Sequence, residues 1–429
     1  MNHNKRHLVN KLFAFLAIVL ILSVLACAAP SQTPAKPATP VVNKPAEVSI
    51  PVSADISGPY AALSPFAQEL YTVATEYWNE KYGGIDGVPV KLNIRDCKGT
   101  VECAVNFYNE LVASKQALVY VLYSSSQQEP LKSRLPEDKV VIFSGASSPP
   151  SAAPPGWIFM NLPAYCDLMG MYIDWIVDVD WKTKGKPGNP KVAVLTWDSA
   201  FGRGILTKET QDYMKQRGVD YVGAAFVPVG VPVDTKNQIT RLVELKADYV
   251  ISNYHTPAYS VSLRDAEKLG VKDNFTWINL STGTDRLVEF VGKDIAEGVI
   301  TGGLCADWEL EADLPFYKET LQKFEKISAG KGLSGFTTSG ATDLMMSEIC
   351  SLKAIELTVK RVGWDKLNGA EVEKTARTEM TNYDVEGVLK ALGWDETRRS
   401  SAWGRLTIFK DGKQTLLQDW RTLPNLLPK

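Results

Sequence analysis

Short apolar runs bounded by turn residues alternate along most of the chain with longer segments whose apolar residues recur at helical spacing. The first run predicts a strand over 48–52, followed by a turn at Ser57-Gly58-Pro59. Ser64 then reads as a helix N-cap with Pro65 at the first helical position. Phe66, Leu70, Val73, Ala74 and Tyr77 line one face of that helix, and Gly83-Gly84 stops it. Strands are predicted over 88–96, 118–122 and 140–143, with helices over 101–114 and after Ser126 between them. A second alternating set follows. Its helices are predicted over 167–179, 204–217, 234–246 (Asp234 as cap) and 257–269; its strands cover 191–196, 221–226, 248–252 and 276–280. Further helices are expected over 314–327 and 342–362. The end changes character, with strand-like runs 403–409 and 414–420 flanking Lys410-Asp411-Gly412-Lys413, a strong hairpin signal.

Repeated strand–helix–strand units require parallel sheets, and near-continuous apolar strands indicate helices on both faces. The expected class is α/β: two doubly wound parallel-sheet lobes with a hinge between them. Joints are expected near 161–165 and 302–306. They assign 47–163 plus 304–390 to an N-terminal lobe and 164–303 plus 391–429 to a C-terminal lobe.

The first residues follow another pattern. Lys5, Arg6 and Lys11 surround the start of an apolar run over 12–25 that ends in Val24-Leu25-Ala26-Cys27. A basic head, a short apolar core and a small-residue cut site read as an export signal over 1–26. The run is shorter than the ~20 residues of a membrane span. Cys27 then reads as the lipid-bearing first residue of a lipoprotein, and 27–46, rich in Pro and Ala, as a solvated tether. The expected location is extracytoplasmic, lipid-anchored to the cell membrane. With 22% charged residues and a net charge of -2, nothing favours nucleic acid as a partner.

Beyond Cys27 the cysteines are Cys97, Cys103, Cys166, Cys305 and Cys350, an odd number. In an oxidising location Cys97 and Cys103 are close enough in sequence to close a local staple. No CxxC pair has a matching partner, so zinc is not indicated. His255 is the one histidine beyond the signal, which leaves no multi-histidine metal site. No G-x-S-x-G turn offers a nucleophile for a triad built on it. No cofactor, no metal and no catalytic residue is expected.

Ala54-Asp55-Ile56-Ser57-Gly58-Pro59-Tyr60, Gly83-Gly84-Ile85-Asp86-Gly87-Val88-Pro89-Val90, Leu122-Tyr123-Ser124-Ser125-Ser126, Phe143-Ser144-Gly145-Ala146-Ser147 and Trp197-Asp198-Ser199-Ala200-Phe201-Gly202-Arg203-Gly204 occur in order, followed by Asp234, Asp248-Tyr249-Val250 and Glu297-Gly298. In this ordered set the chain resembles the leucine/isoleucine/valine-binding protein family, type I periplasmic binding proteins that serve ABC importers. The resemblance spans about Glu47 to Trp420. It implies a non-enzymatic receptor that closes on a small-molecule ligand and presents it to an ABC permease. The body is expected to be a monomer. A ligand-sensing subunit for a membrane receptor has the same fold, and an exported hydrolase using a cleft serine with His255 is a third alternative.

The resemblance also places the ligand. Ser124, Gly145, Ala146 and Ser147 lie just past strand ends where the family grips a carboxylate, although serines there also cap helices. Phe201 and His255 match aromatic cleft positions. The family commonly holds an ammonium group with a carboxylate on the second lobe, but the matching position here is Ser281. A hydroxyl does not neutralise a desolvated ammonium. Either Asp198, Asp307 or Glu309 reaches in, or the ligand has no ammonium. Tyr123, Trp277 and Trp308 near the rim would suit a flat apolar ligand.

Overall fold

The computed structural model describes residues 43–58, 66–280, 284–328 and 336–429. The export head, Cys27, the cap expected at Ser64, and Ser281 lie outside the described residues. Two sheets organise the rest. The first has six strands: β1 (Val48–Ala54), β2 (Val90–Asp96), β3 (Val119–Leu122), β4 (Val141–Ser144), β5 (Ile158–Pro163) and β11 (Ser400–Ser401), in the order β11-β5-β4-β3-β1-β2. Every pairing in it is parallel. The second has seven: β6 (Lys191–Trp197), β7 (Asp220–Val227), β8 (Tyr249–Ser252), β9 (Thr276–Asn279), β10 (Ile300–Gly303), β12 (Trp403–Lys410) and β13 (Lys413–Thr422). Their order is β13-β12-β10-β9-β8-β6-β7, antiparallel at the β10–β12 and β12–β13 pairings and parallel elsewhere.

Strand alternation explains the layering. Val119, Val121, Val141 and Phe143 enter one apolar core, while Tyr120, Leu122 and Ile142 enter another on the opposite face. Val192, Val194 and Ile251 divide in the same way from Ala193, Leu195 and Val250. Both faces are dry, as the near-continuous apolar runs require.

The chain crosses between the sheets after β5, after β10 and after β11. The last crossing follows Ser401, downstream of the 390–391 boundary expected from sequence. Trp394 still belongs to the first lobe, where it sits in the core and donates to the Met160 carbonyl. The tail then returns: the Leu426 N–H bonds Asp167, and Leu427 enters a first-lobe core.

Several elements differ from the sequence reading. The helix expected over 204–217 starts later, at Lys208, and ends at Gln216, because Thr207 caps it by accepting the Thr210 N–H; a separate short helix, Ala200–Arg203, precedes it. Thr235, not Asp234, precedes helix Lys236–Glu244; the buried Asp265 carboxylate takes its N–H and hydroxyl. The long helix Ser339–Val362 begins earlier than expected because Thr338 caps it. The predicted hairpin forms with Asp411 and Gly412 both at positive φ.

Candidate functional site

In a doubly wound sheet, ligands sit beyond the carboxyl ends of strands, where the strand order reverses. Here β1 lies between β2 and β3, and β6 lies between β7 and β8. The turns leaving these strands and their neighbours face one another across a cleft. Ser53–Asp55 at the end of β1, Tyr123–Ser126 after β3 and Gly145–Ser147 after β4 line it from the first lobe. Phe201, Asn253, His255 and Leu280 line it from the second, while Tyr165 and Leu304 close it beside the chain crossings. The cavity between them measures about 80 Å³.

Tyr123, Ser124, Gly145, Ala146, Ser147, Phe201 and His255 are thus brought together around one cavity. Their hydroxyls do different work. Ser147 Oγ donates to the Pro163 carbonyl at 2.5 Å, and Ser125 Oγ pairs with the Tyr165 hydroxyl at 3.3 Å. Ser124 occupies a helix N-cap position, yet its side chain makes no capping bond. Among the described residues, the hydroxyls of Ser124 and Ser126 have no hydrogen-bond partner.

Gly145 is required by close approach. A Cβ there would lie 2.4 Å from both the Asp343 carboxylate and the Tyr123 ring. Asp343, on helix Ser339–Val362, is fully buried behind this turn, bonded to Asn161 and Tyr123. Burial raises its carboxyl to about 7.

Aromatic rings form the opposite wall. Phe201 stacks on His255 at 5.1 Å, meets Tyr165 edge-on at 5.1 Å, and Trp197 backs His255 at 5.2 Å. Burial alone lowers His255 to about 4, so the imidazole is neutral at pH 7.

Other expected residues lie elsewhere. Trp308 is not in the cleft lining; it stacks on Tyr317 at 3.8 Å and donates to Thr342. With Asp307 and Glu309 it lines a second cavity. Trp277 is buried in the second-lobe core. Asp198 points outward and pairs with Arg203 at 2.6 Å. None of the three carboxylates considered as substitutes for Ser281 lines the cleft.

Sequence reasoning passed over Asp55, Tyr71 and Tyr165. Asp55 stands in the quoted Ala54-Asp55-Ile56 motif, directly beyond β1, a position that marks it. Its Oδ1 accepts the Gly99 N–H at 2.7 Å and Gln127 Nε2 at 3.2 Å. Gly99 belongs to the loop that the Cys97–Cys103 disulfide closes. Burial raises the Asp55 carboxyl, and those two bonds oppose the rise.

Among the described residues, no cluster of three or more His, Cys, Asp or Glu is arranged for a metal, and no helix is long and apolar enough to cross a membrane. Two lobes with an aromatic wall facing polar turns enclose a candidate solute site. The sequence model described as periplasmic binding protein matches residues 47–410. The chain belongs to the periplasmic binding protein family.

Comparison with curated protein sequences gives no match. Among solved structures, the chain is similar to a branched-chain amino acid ABC transporter protein from Thermus thermophilus with bound valine: 19% identity, 89% of this chain and 97% of that one, TM-score 0.75. It is also similar to a fatty acid ABC transporter substrate-binding protein from Thermomonospora curvata, at 18% identity, 90% and 96% coverage and a TM-score of 0.72. An extracellular ligand-binding receptor from Rhodopseudomonas palustris HaA2 aligns at 18% identity over 87% of this chain and 100% of that one, TM-score 0.66. At these identities the likeness is one of fold.

Proposed function

We propose that this protein is the solute receptor of an ABC importer, held at the membrane surface through lipid on Cys27. The monomeric body captures a small amino acid or related carboxylate or amide, aromatic ones included, by closing its lobes, and then offers it to the permease. The carrying observation is the division of labour across the cleft. One side presents the free hydroxyls of Ser124 and Ser126 beside the Gly145–Ser147 turn. The other presents the stacked Phe201 and His255 rings. Hydroxyls and turn amides suit a carboxylate or amide, and rings suit its apolar part. The similar structures, one with bound valine and one a fatty acid ABC transporter substrate-binding protein, fit the same division.

The neutral state of His255, which burial sets, and its stacking on Phe201 favour a binding wall over a charge relay. Bending of the 163–165, 303–305 and 401–403 segments would move one lobe against the other, because these are the places where the chain passes between sheets. Calorimetric titration with amino acids, aromatic acids and their amides is the test. A solute in these classes should bind one to one and shrink the radius of gyration in X-ray scattering. Binding without compaction would argue against capture by closure.

A further inference from the structure

Asp55 is the one carboxylate among the described residues lining the cleft, and no Lys or Arg lines it with Asp55. Its Oδ1 is used by Gly99 and Gln127; its Oδ2 has no partner among the described residues. No cation figures among the groups acting on it. The neighbouring stretches 59–65 and 281–283 contain no Lys, Arg or His either. A second polar atom points the same way: the Tyr71 hydroxyl, fully buried without a partner, lines the same cavity close enough to feel the Asp55 charge. A carboxylate in a closing, partly desolvated cleft needs a positive or strongly donating partner. Among the described residues lining the cleft, none is a cation.

We infer that the ligand supplies it: the solute carries an ammonium or similar cationic N–H group that bonds Asp55 Oδ2, with Tyr71 beside it. Asp55 is then the specificity residue for zwitterions. It does from the first lobe, between the Ser124 turn and helix Ala67–Tyr82, what the family resemblance gives to a carboxylate whose matching residue in this sequence is Ser281. This choice excludes the alternative of a ligand without ammonium. The inference rests on the cleft being a solute site.

The test pairs L-leucine, L-valine and L-phenylalanine with 4-methylpentanoate, 3-methylbutanoate and 3-phenylpropanoate, which differ only in lacking the ammonium group. Wild-type protein should bind the amino acid of its best pair about tenfold or more tighter, the range expected of a charge-assisted hydrogen bond. Asp55→Asn should bring that ratio near one while leaving the thermal midpoint of the free protein in place. Equal or tighter binding of the acid lacking nitrogen, or an undiminished ratio in Asp55→Asn, overturns the assignment and leaves the solute cleft standing. If the variant fails to fold, the wild-type ratio alone decides. Failure of all six probes to bind defeats the reading of the cleft, and this inference with it.

Discussion

Gly145 and Glu348 show how single side chains decide what the first lobe tolerates. Gly145→Ala pushes a methyl group into Asp343 and the Tyr123 ring, both fixed by packing. Overpacking of this kind costs about 1–3 kcal/mol, and it displaces the turn that faces the ligand. Denaturant melts and titration of the best ligand should both show losses; an unchanged affinity would place the ligand away from this turn. Glu348 is fully buried and accepts a hydrogen bond from Thr75. Burial raises its carboxyl from 4.5 to about 8. Between those values the folded protein holds a proton that the unfolded chain has lost, so this group's contribution to stability falls as pH rises through the window. Glu348→Gln keeps the acceptor and removes the titration. Its thermal midpoint should gain on wild type steadily from pH 5 to pH 8. A constant gap between the two proteins would show that Glu348 titrates normally.

At the level of elements, the Arg398–Asp167 pair fastens the crossing region. Arg398 bonds the Asp167 carboxylate at 2.5 Å and also reaches the Ser400 and Ser401 carbonyls. Asp167, on the helix that leaves the first crossing, also receives the Leu426 N–H at 2.7 Å. Removing one member of a buried pair strands the other, so Arg398→Ala should cost about 3–5 kcal/mol in urea unfolding. A loss below about 1 kcal/mol would show the carboxylate finding another partner. The sequence announced strands that are apolar throughout, such as the run 140–143, and the hairpin at Asp411-Gly412. It was silent on β5, which contains Asn161 and ends in Pro163, and on β10, half of which is glycine. Their strand character comes from neighbours already in the sheet, which no local pattern encodes. The cleft was legible in part for the same reason. Positions just beyond a readable strand, such as Ser124 and Gly145, stood out. Tyr71 reaches the cleft from a helix whose apolar face read as core, Tyr165 from the stretch 161–165 that read as a joint, and Trp308 read as rim although Tyr317 holds it elsewhere.

For the whole molecule, closure depends on contacts that bridge the lobes away from the ligand. Asp285, just after β9, accepts the Ser339 N–H at the start of the long first-lobe helix, at 2.6 Å. Arg405 on β12 grips Glu311 with two bonds of 2.5 and 2.7 Å. If the lobes open and close as proposed, these bonds resist opening, so Asp285→Ala should increase the ligand-free radius of gyration. Apparent affinity should weaken in proportion to the lost closed fraction. Equal scattering curves for variant and wild type would assign the bond to local helix capping only. The returning tail has a different consequence. Leu427 enters a core that also holds Phe107 and Tyr120, and Ser400–Ser401 supplies that lobe's edge strand. A chain made from its N-terminus therefore carries an unfinished first lobe, short of an edge strand and a core side chain, until residues 400–427 have followed the whole of the second sheet's parallel part.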